Sequence, residues 1–135
     1  MDRKLKLKVG QKVVVKIEEM SNAARNLGLE GMTLDNIDKW CVNGEVTKIG
    51  RKYITVKFNK WNEEQFSIED DYRQKYTLGG ANYKLYLNKE EIINDFKANK
   101  IYVSIQYYFS SYKNSRFTLD QLKRIKEIID ENKED

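Results

Sequence analysis

The sequence predicts an α+β fold: a small, strongly curved antiparallel β-barrel followed by C-terminal helices. Three observations lead there. Apolar residues across 42–58 keep a strand-like phase through a glycine-bearing turn, turn residues recur at short intervals up to position 87, and the period changes at Asn88.

Lys4, Lys6 and Lys8 alternate with Leu5, Leu7 and Val9, so residues 6–17 read as strand, with a turn at Val9-Gly10-Gln11-Lys12 before Val13, Val15 and Ile17. Residues 18–40 show no strand period and are rich in Asn, Gly and small side chains. A loop of that length is unusual in a compact domain and points to function. Inside it, Thr33 is positioned to cap a short helical turn reaching Trp40.

The hairpin 42–58 carries the barrel argument. Ile54, Val56 and Phe58 share a face, as do Val42, Gly44 and Val46. Both sets face inward if Val46 opposes Ile54 and Val42 opposes Phe58. That register requires an odd loop, Ile49-Gly50-Arg51, and sets Gly44 opposite Val56, where a missing side chain lets the strand bend. Beyond the polar loop 59–64, Phe66 and Ile68 mark an inward strand face. Asp70-Asp71 turns the chain, 72–78 reads as strand, 79–82 as loop and 84–87 as a short edge strand.

Asn88, followed by Glu90 and Glu91, has the form of a helix start. Ile92, Ile93, Phe96, Ile101, Ile105, Tyr108, Phe109 and Tyr112 fit a helical stripe, although Asn99-Lys100 is a point of interruption and the β-branched and aromatic content of 101–109 also suits a strand. Thr118-Leu119-Asp120-Gln121 opens a last helix with Leu119, Leu122, Ile125, Ile128 and Ile129 on one side. The expected organisation is a barrel over 1–87 with a long inserted loop at 18–40, and a helical closure over 88–135 packed on it as part of the same domain.

Composition narrows the function. The 135 residues include no His, which excludes imidazole bases and His metal ligands, and a single cysteine, Cys41, which excludes a disulfide framework. No apolar run approaches a membrane span and no secretory pattern opens the chain, so a cytoplasmic protein without membrane association is expected. The absence of Pro, four Ala, and abundant Lys, Asn, Ile and Tyr suit an A/T-rich genome. The net charge of +4 divides unevenly, +6 over residues 1–60 and −2 over the rest. The basic half suits an acidic partner or a phosphate backbone.

Val9-Gly10-Gln11-Lys12-Val13, Ser21-Asn22-Ala23-Ala24-Arg25, Val46 through Tyr53, Phe66-Ser67-Ile68-Glu69, Tyr86-Leu87 and the closing 119–125 segment recur, in that order, in a known group. The chain resembles the small β-barrel proteins of low-GC Gram-positive bacteria and their phages, most specifically at Gly50-Arg51-Lys52-Tyr53. The resemblance implies an SH3-like barrel of phage or mobile-element type and brings no established activity with it. The stretch between Leu27 and Trp40 is longer here than in that group.

Candidate binding residues follow from chemistry and position. Arg25, with Asn22 in the same small-residue loop, offers a guanidinium to a carboxylate or phosphate, or pins the loop to the barrel. Arg51, Lys52 and Tyr53 combine two cations with a ring at a hairpin tip, a pattern that suits nucleic acid. Trp61 and Tyr83, beside polar loops, stand out from a large aromatic population. Glu63-Glu64 and Glu69-Asp70-Asp71 read as solvated acidic faces, and Cys41 as a buried or half-buried thiol.

No catalytic residue, metal or cofactor is expected. The favoured expectation is a non-enzymatic binding protein that inhibits a host immune or regulatory protein. The alternatives are a nucleic-acid-binding barrel module and sequestration of a small anionic nucleotide using Arg25, Arg51 and an aromatic. The apolar residues after Asn99 are numerous enough for a homodimer face.

Overall fold

A computed structural model describes residues 4–59, 62–75, 80–110 and 117–131. The chain divides into two compact units, Asp2–Asp95 and Phe96–Asp135.

The first unit holds a closed barrel of six antiparallel strands: β1 (Lys12–Ile17), β2 (Cys41–Ile49), β3 (Tyr53–Phe58), β4 (Asn62–Ser67), β5 (Arg73–Gln74) and β6 (Tyr83–Tyr86). The strands follow sequence order, and β6 closes the ring by pairing with both β5 and β1. Val13 and Val15 of β1, Val46 of β2, Ile54, Val56 and Phe58 of β3, Phe66 of β4 and Leu85 of β6 meet in one core, joined by Tyr72. The period-2 apolar pattern is therefore the barrel interior.

The hairpin faces inward as its phase requires, in a different register. Val46 opposes Val56 and Gly44 opposes Phe58. The odd residue demanded by the phase is Thr47, a bulge in β2, after which Ile49 pairs with Ile54. Gly50 N–H donates to the Tyr53 carbonyl at 2.9 Å, so the turn itself is short, Arg51-Lys52. At Gly44 a Cβ would lie 2.8 Å from Val56 Cγ1 and 3.3 Å from the Lys57 carbonyl. This glycine thus leaves no room for a side chain against β3, while its other edge pairs with Val13.

Other expectations need correction. Residues 4–11 form no strand; Leu5 and Leu7 still pack on the core, and the turn at Gly10 (φ +90°) is held by its N–H donating to the Val46 carbonyl at 2.7 Å. The 84–87 segment is not an edge strand, because β1 and β5 flank it. Within 72–78 only Arg73–Gln74 is strand, since Asp71 and Tyr72 take positive φ (50° and 62°) and delay the return; residues 76–79 lie outside those described. Residues 18–40 are partly ordered into helix, as α1 (Asn22–Asn26) and a 3-10 turn (Ile37–Trp40), and they bury Ser21, Ala24, Met32, Ile37 and Trp40. Thr33 is not the cap of the helical turn: it bonds reciprocally with Asn36, each side chain accepting from the other's backbone N–H, and the 3-10 turn starts only after Asn36, which makes no side-chain cap bond.

Helix α2 (Lys89–Ser110) starts on Asn88, whose Oδ1 accepts from Glu91 N–H at 2.9 Å, and its periodic reading as helix holds across Asn99-Lys100 to Ser110, with Tyr112 outside the described residues. Its first turns belong to the barrel unit. Ile92 is fully buried, the Tyr86 hydroxyl donates to Asp95 Oδ2 at 2.7 Å, and Lys89 pairs with Asp38. In the second unit α3 (Leu119–Glu131) opens with a capping box between Thr118 and Gln121.

Two substitutions test this framework by chemical denaturation. Gly44→Ala forces a methyl against Val56 and is expected to lower stability by about 1–3 kcal/mol with an unchanged denaturant slope. Lys84, largely buried, is neutralised by Asp71 at 2.9 Å. Asp71→Asn keeps a side chain tolerant of positive φ but strands that ammonium, so a loss of about 2 kcal/mol is expected.

Candidate functional site

At the end of the barrel where β1 and β3 finish and β4 and β6 begin, the strands leave a cleft of about 390 Å³. Its apolar lining is Ile17, Val42, Phe58 and Tyr83, with Ala23 and Leu27 from the α1 region. Its polar lining is five asparagines: Asn22, Asn26, Asn59, Asn62 and Asn82. None of the lining side chains carries a charge at neutral pH.

Each asparagine arrives by a separate local rule. Ser21 caps α1, its hydroxyl accepting from Ala24 N–H at 3.1 Å, and this fixes Asn22 and Asn26 one turn apart on a single helix side. Asn59 takes a positive φ of 56° at the end of β3, and its Oδ1 accepts from Asn62 N–H at 3.0 Å. Asn82 ties three segments together: its N–H donates to the buried Gln74 Oε1 (2.8 Å), its carbonyl accepts from Glu18 N–H (2.8 Å), and its Oδ1 accepts from Ala23 N–H (3.1 Å). Asn82 is thus committed to the scaffold. The side-chain amides of Asn22, Asn26 and Asn62 make no hydrogen bond among the described residues, so donors and acceptors remain for a ligand.

Phe58 and Tyr83 meet edge to face, with ring centroids 4.8 Å apart. Burial pushes the Tyr83 phenol above its ordinary range, and the nearby Glu64 carboxylate pushes it the same way. The hydroxyl therefore remains a neutral hydrogen-bonding group throughout the physiological range.

Of the residues singled out from sequence, Asn22 and Tyr83 come together here, and Trp61 lies outside the described residues, in the β3–β4 connection. Arg25 does not line the cleft. It is exposed on α1, and its guanidinium donates to the Met20 carbonyl at 3.1 Å, a contact within the 18–40 segment to a residue of positive φ (65°) and not one to the barrel. Arg51 and Lys52 sit exposed in the β2–β3 turn at the opposite end of the barrel. Tyr53 is half-buried there, with Lys75 Nζ 4.8 Å from its ring centroid, which adds a cation that sequence reasoning did not single out. Asn26, Asn59, Asn62 and Asn82 were also missed. Each reads locally as a turn or loop residue, and only closure of the barrel gathers them.

Three of these five acids face cations: Glu63 lies opposite Lys57 across the β3–β4 ladder, Asp70 pairs with Arg73 and Asp71 with Lys84. Among the described residues no three His, Cys, Asp or Glu side chains gather as a metal site, and no helix is long and apolar enough to cross a membrane.

A protein-family model for the phage ProQ C-terminal-like domain matches residues 1–132, nearly the whole chain. The chain belongs to the phage ProQ C-terminal-like family. No curated protein and no solved structure matches it significantly. For this phage-type domain, the cleft and the basic turn are therefore read from their own chemistry.

Cys41 is not placed for nucleophilic work. Its thiol donates to the Ile37 carbonyl at 3.3 Å, and burial raises its pKa above the ordinary 9.0, with Lys89 pulling the other way. Little thiolate exists at neutral pH, so alkylation of the folded protein by iodoacetamide should be slow there and still accelerating above pH 9, read by mass spectrometry.

Proposed function

We propose that this phage-type barrel is a non-enzymatic module that binds single-stranded nucleic acid, with bases entering the asparagine-lined cleft. The observation that carries the reading is the pairing of unengaged Asn22, Asn26 and Asn62 amides with a Phe58–Tyr83 aromatic floor. An amide supplies both donor and acceptor and so matches the polar edge of a base, while a ring supports its face. The neutral lining suits a base better than a phosphate. The excess of basic residues over 1–60 and the Arg51-Lys52 turn with Lys75 supply phosphate contacts elsewhere on the same barrel. Membership of a ProQ-like family points the same way.

The rival readings have less support. The 18–40 segment, the surface expected to grip and inhibit a host protein, buries Met32, Ile37 and Trp40 and leaves Met20, Leu27 and Leu34 exposed as separate side chains, with no observation that favours a protein partner on them. Sequestration of an anionic nucleotide by Arg25 and Arg51 would need one pocket, and these two residues lie at opposite ends of the barrel. The A/T-rich residue usage and the resemblance of Gly50-Arg51-Lys52-Tyr53 support an SH3-like barrel from the cytoplasm of a low-GC Gram-positive host.

Fluorescence anisotropy with labelled single-stranded RNA and DNA, titrated over salt, tests the proposal. Binding is expected to fall about tenfold or more in Tyr83→Ala, in line with loss of a stacked base. Asn22→Ala and Asn62→Ala, whose amides hold nothing in the fold, should weaken binding or change base preference. Arg51→Ala/Lys52→Ala should flatten the salt dependence by roughly one to one and a half in log–log slope. Absence of binding at low salt, or binding indifferent to all three cleft variants, would overturn the proposal. A nuclease-resistant protein captured from bacterial lysate and lost in Arg25→Ala/Arg51→Ala would instead favour the host-protein reading.

A further inference from the structure

The second unit presents apolar surface that its own helices do not cover. Residues 101–109 of α2 are all exposed, including Tyr107 at 74 %, and α3 exposes Leu119, Leu122, Ile128 and Ile129. Helical spacing puts Ile101, Ile105 and Tyr108 on one side of α2 and Phe96, Val103 and Tyr107 on the other, so the helix is apolar on opposed sides. The first side and α3 border a groove of about 600 Å³, lined entirely by apolar and aromatic side chains, among them Ile105, Phe109, Phe117, Ile125 and Ile129. Phe109 stacks on Phe117 at 5.5 Å near the helix connection, but the two helices otherwise touch little.

We propose that this groove is a self-association surface, in which two copies of the chain interlock α2 and α3 about a two-fold axis into a four-helix bundle. Three features favour a second copy over another occupant. First, the exposed apolar side chains of the two helices present on the order of 1,000 Å² per chain, above the ~800 Å² per partner of a standard stable interface. Second, the charges on α3 are matched within the helix, Asp120 with Arg124 and Lys126 with Asp130, which leaves no strong field to select a charged partner. Third, one amphipathic segment laid in the groove would leave Val103 and Tyr107, on the other side of α2, in water. A two-fold pair covers both sides, because each groove receives the partner's side chains while the far side of each α2 meets the partner's helices.

Analytical ultracentrifugation of the full-length chain over a wide concentration range tests this. The expected result is twice the chain mass of 16.1 kDa, dissociating on dilution. Ile101→Glu and Ile128→Glu replace side chains that are 62 % and 61 % exposed in the single chain, so neither disturbs its own packing. Both are expected to shift the protein to the single-chain mass while the barrel's cooperative unfolding is retained. A wild-type mass that stays at one chain at the highest concentration would overturn the proposal. So would a doubled mass that survives both variants, since it would place the contact elsewhere.

Discussion

The close approach at Gly44 governs the barrel. A six-stranded sheet closes only if its strands bend sharply, and β2 does so where one residue pairs with Val13 on one side and Phe58 on the other. With Val56 Cγ1 2.8 Å from where a Cβ would stand, only glycine fits, and the bulge at Thr47 adds the remaining curvature. Closure then brings β6 against β1, stacks Leu85 with Val15 and Phe66 in the core, and draws the ends of β1, β3, β4 and β6 around one mouth.

The function of that mouth depends on what closure leaves there. Its five asparagines come from three segments far apart in sequence, α1, the β3–β4 region and the loop before β6; Asn59 and Asn82 are engaged in holding the backbone, and Asn22, Asn26 and Asn62 are left. A lining of unengaged amides over apolar rings is suited to discriminate by hydrogen-bond pattern and shape, because no lining side chain carries a formal charge and the nearest named one is the Glu64 carboxylate beside Tyr83. At the opposite end stand three cations, Arg51 and Lys52 in the turn and Lys75 over the Tyr53 ring. Under the proposed nucleic-acid reading, the attraction that increases encounter and the contacts that select would sit at separate ends of the barrel.

The sequence made the inward faces legible because the strand period is strict: Val13, Val15, Val46, Ile54, Val56 and Phe66 were all readable as core, and each is buried. The hairpin register was not readable, because the bulge falls on Thr47, a β-branched residue that looks like regular strand. The helix starts at Asn88 and Thr118 were legible through side chains that reach a specific backbone N–H. Helix α1 was not, since five residues are too few to show a helical period. The site was half legible: Asn22 and Tyr83 stood out by context, whereas Asn26, Asn59 and Asn62 carry the same local signature as any turn asparagine.

Strand β5 contributes only Arg73 and Gln74, joined to β4 by two residue pairs and to β6 by one, while every other ladder is longer. The ring therefore has a thin seam along its perimeter. As long as the seam holds, no strand edge is free, and foreign chains cannot extend the sheet by adding a strand, so recognition falls to side chains at the rims. Fraying would begin at this seam and would bare the flanks of β4 and β6 together. The buried Gln74, whose carbonyl oxygen anchors Asn82, stands on that line. The integrity of the cleft and the resistance of the barrel to edge-to-edge aggregation thus rest on the same two-residue strand.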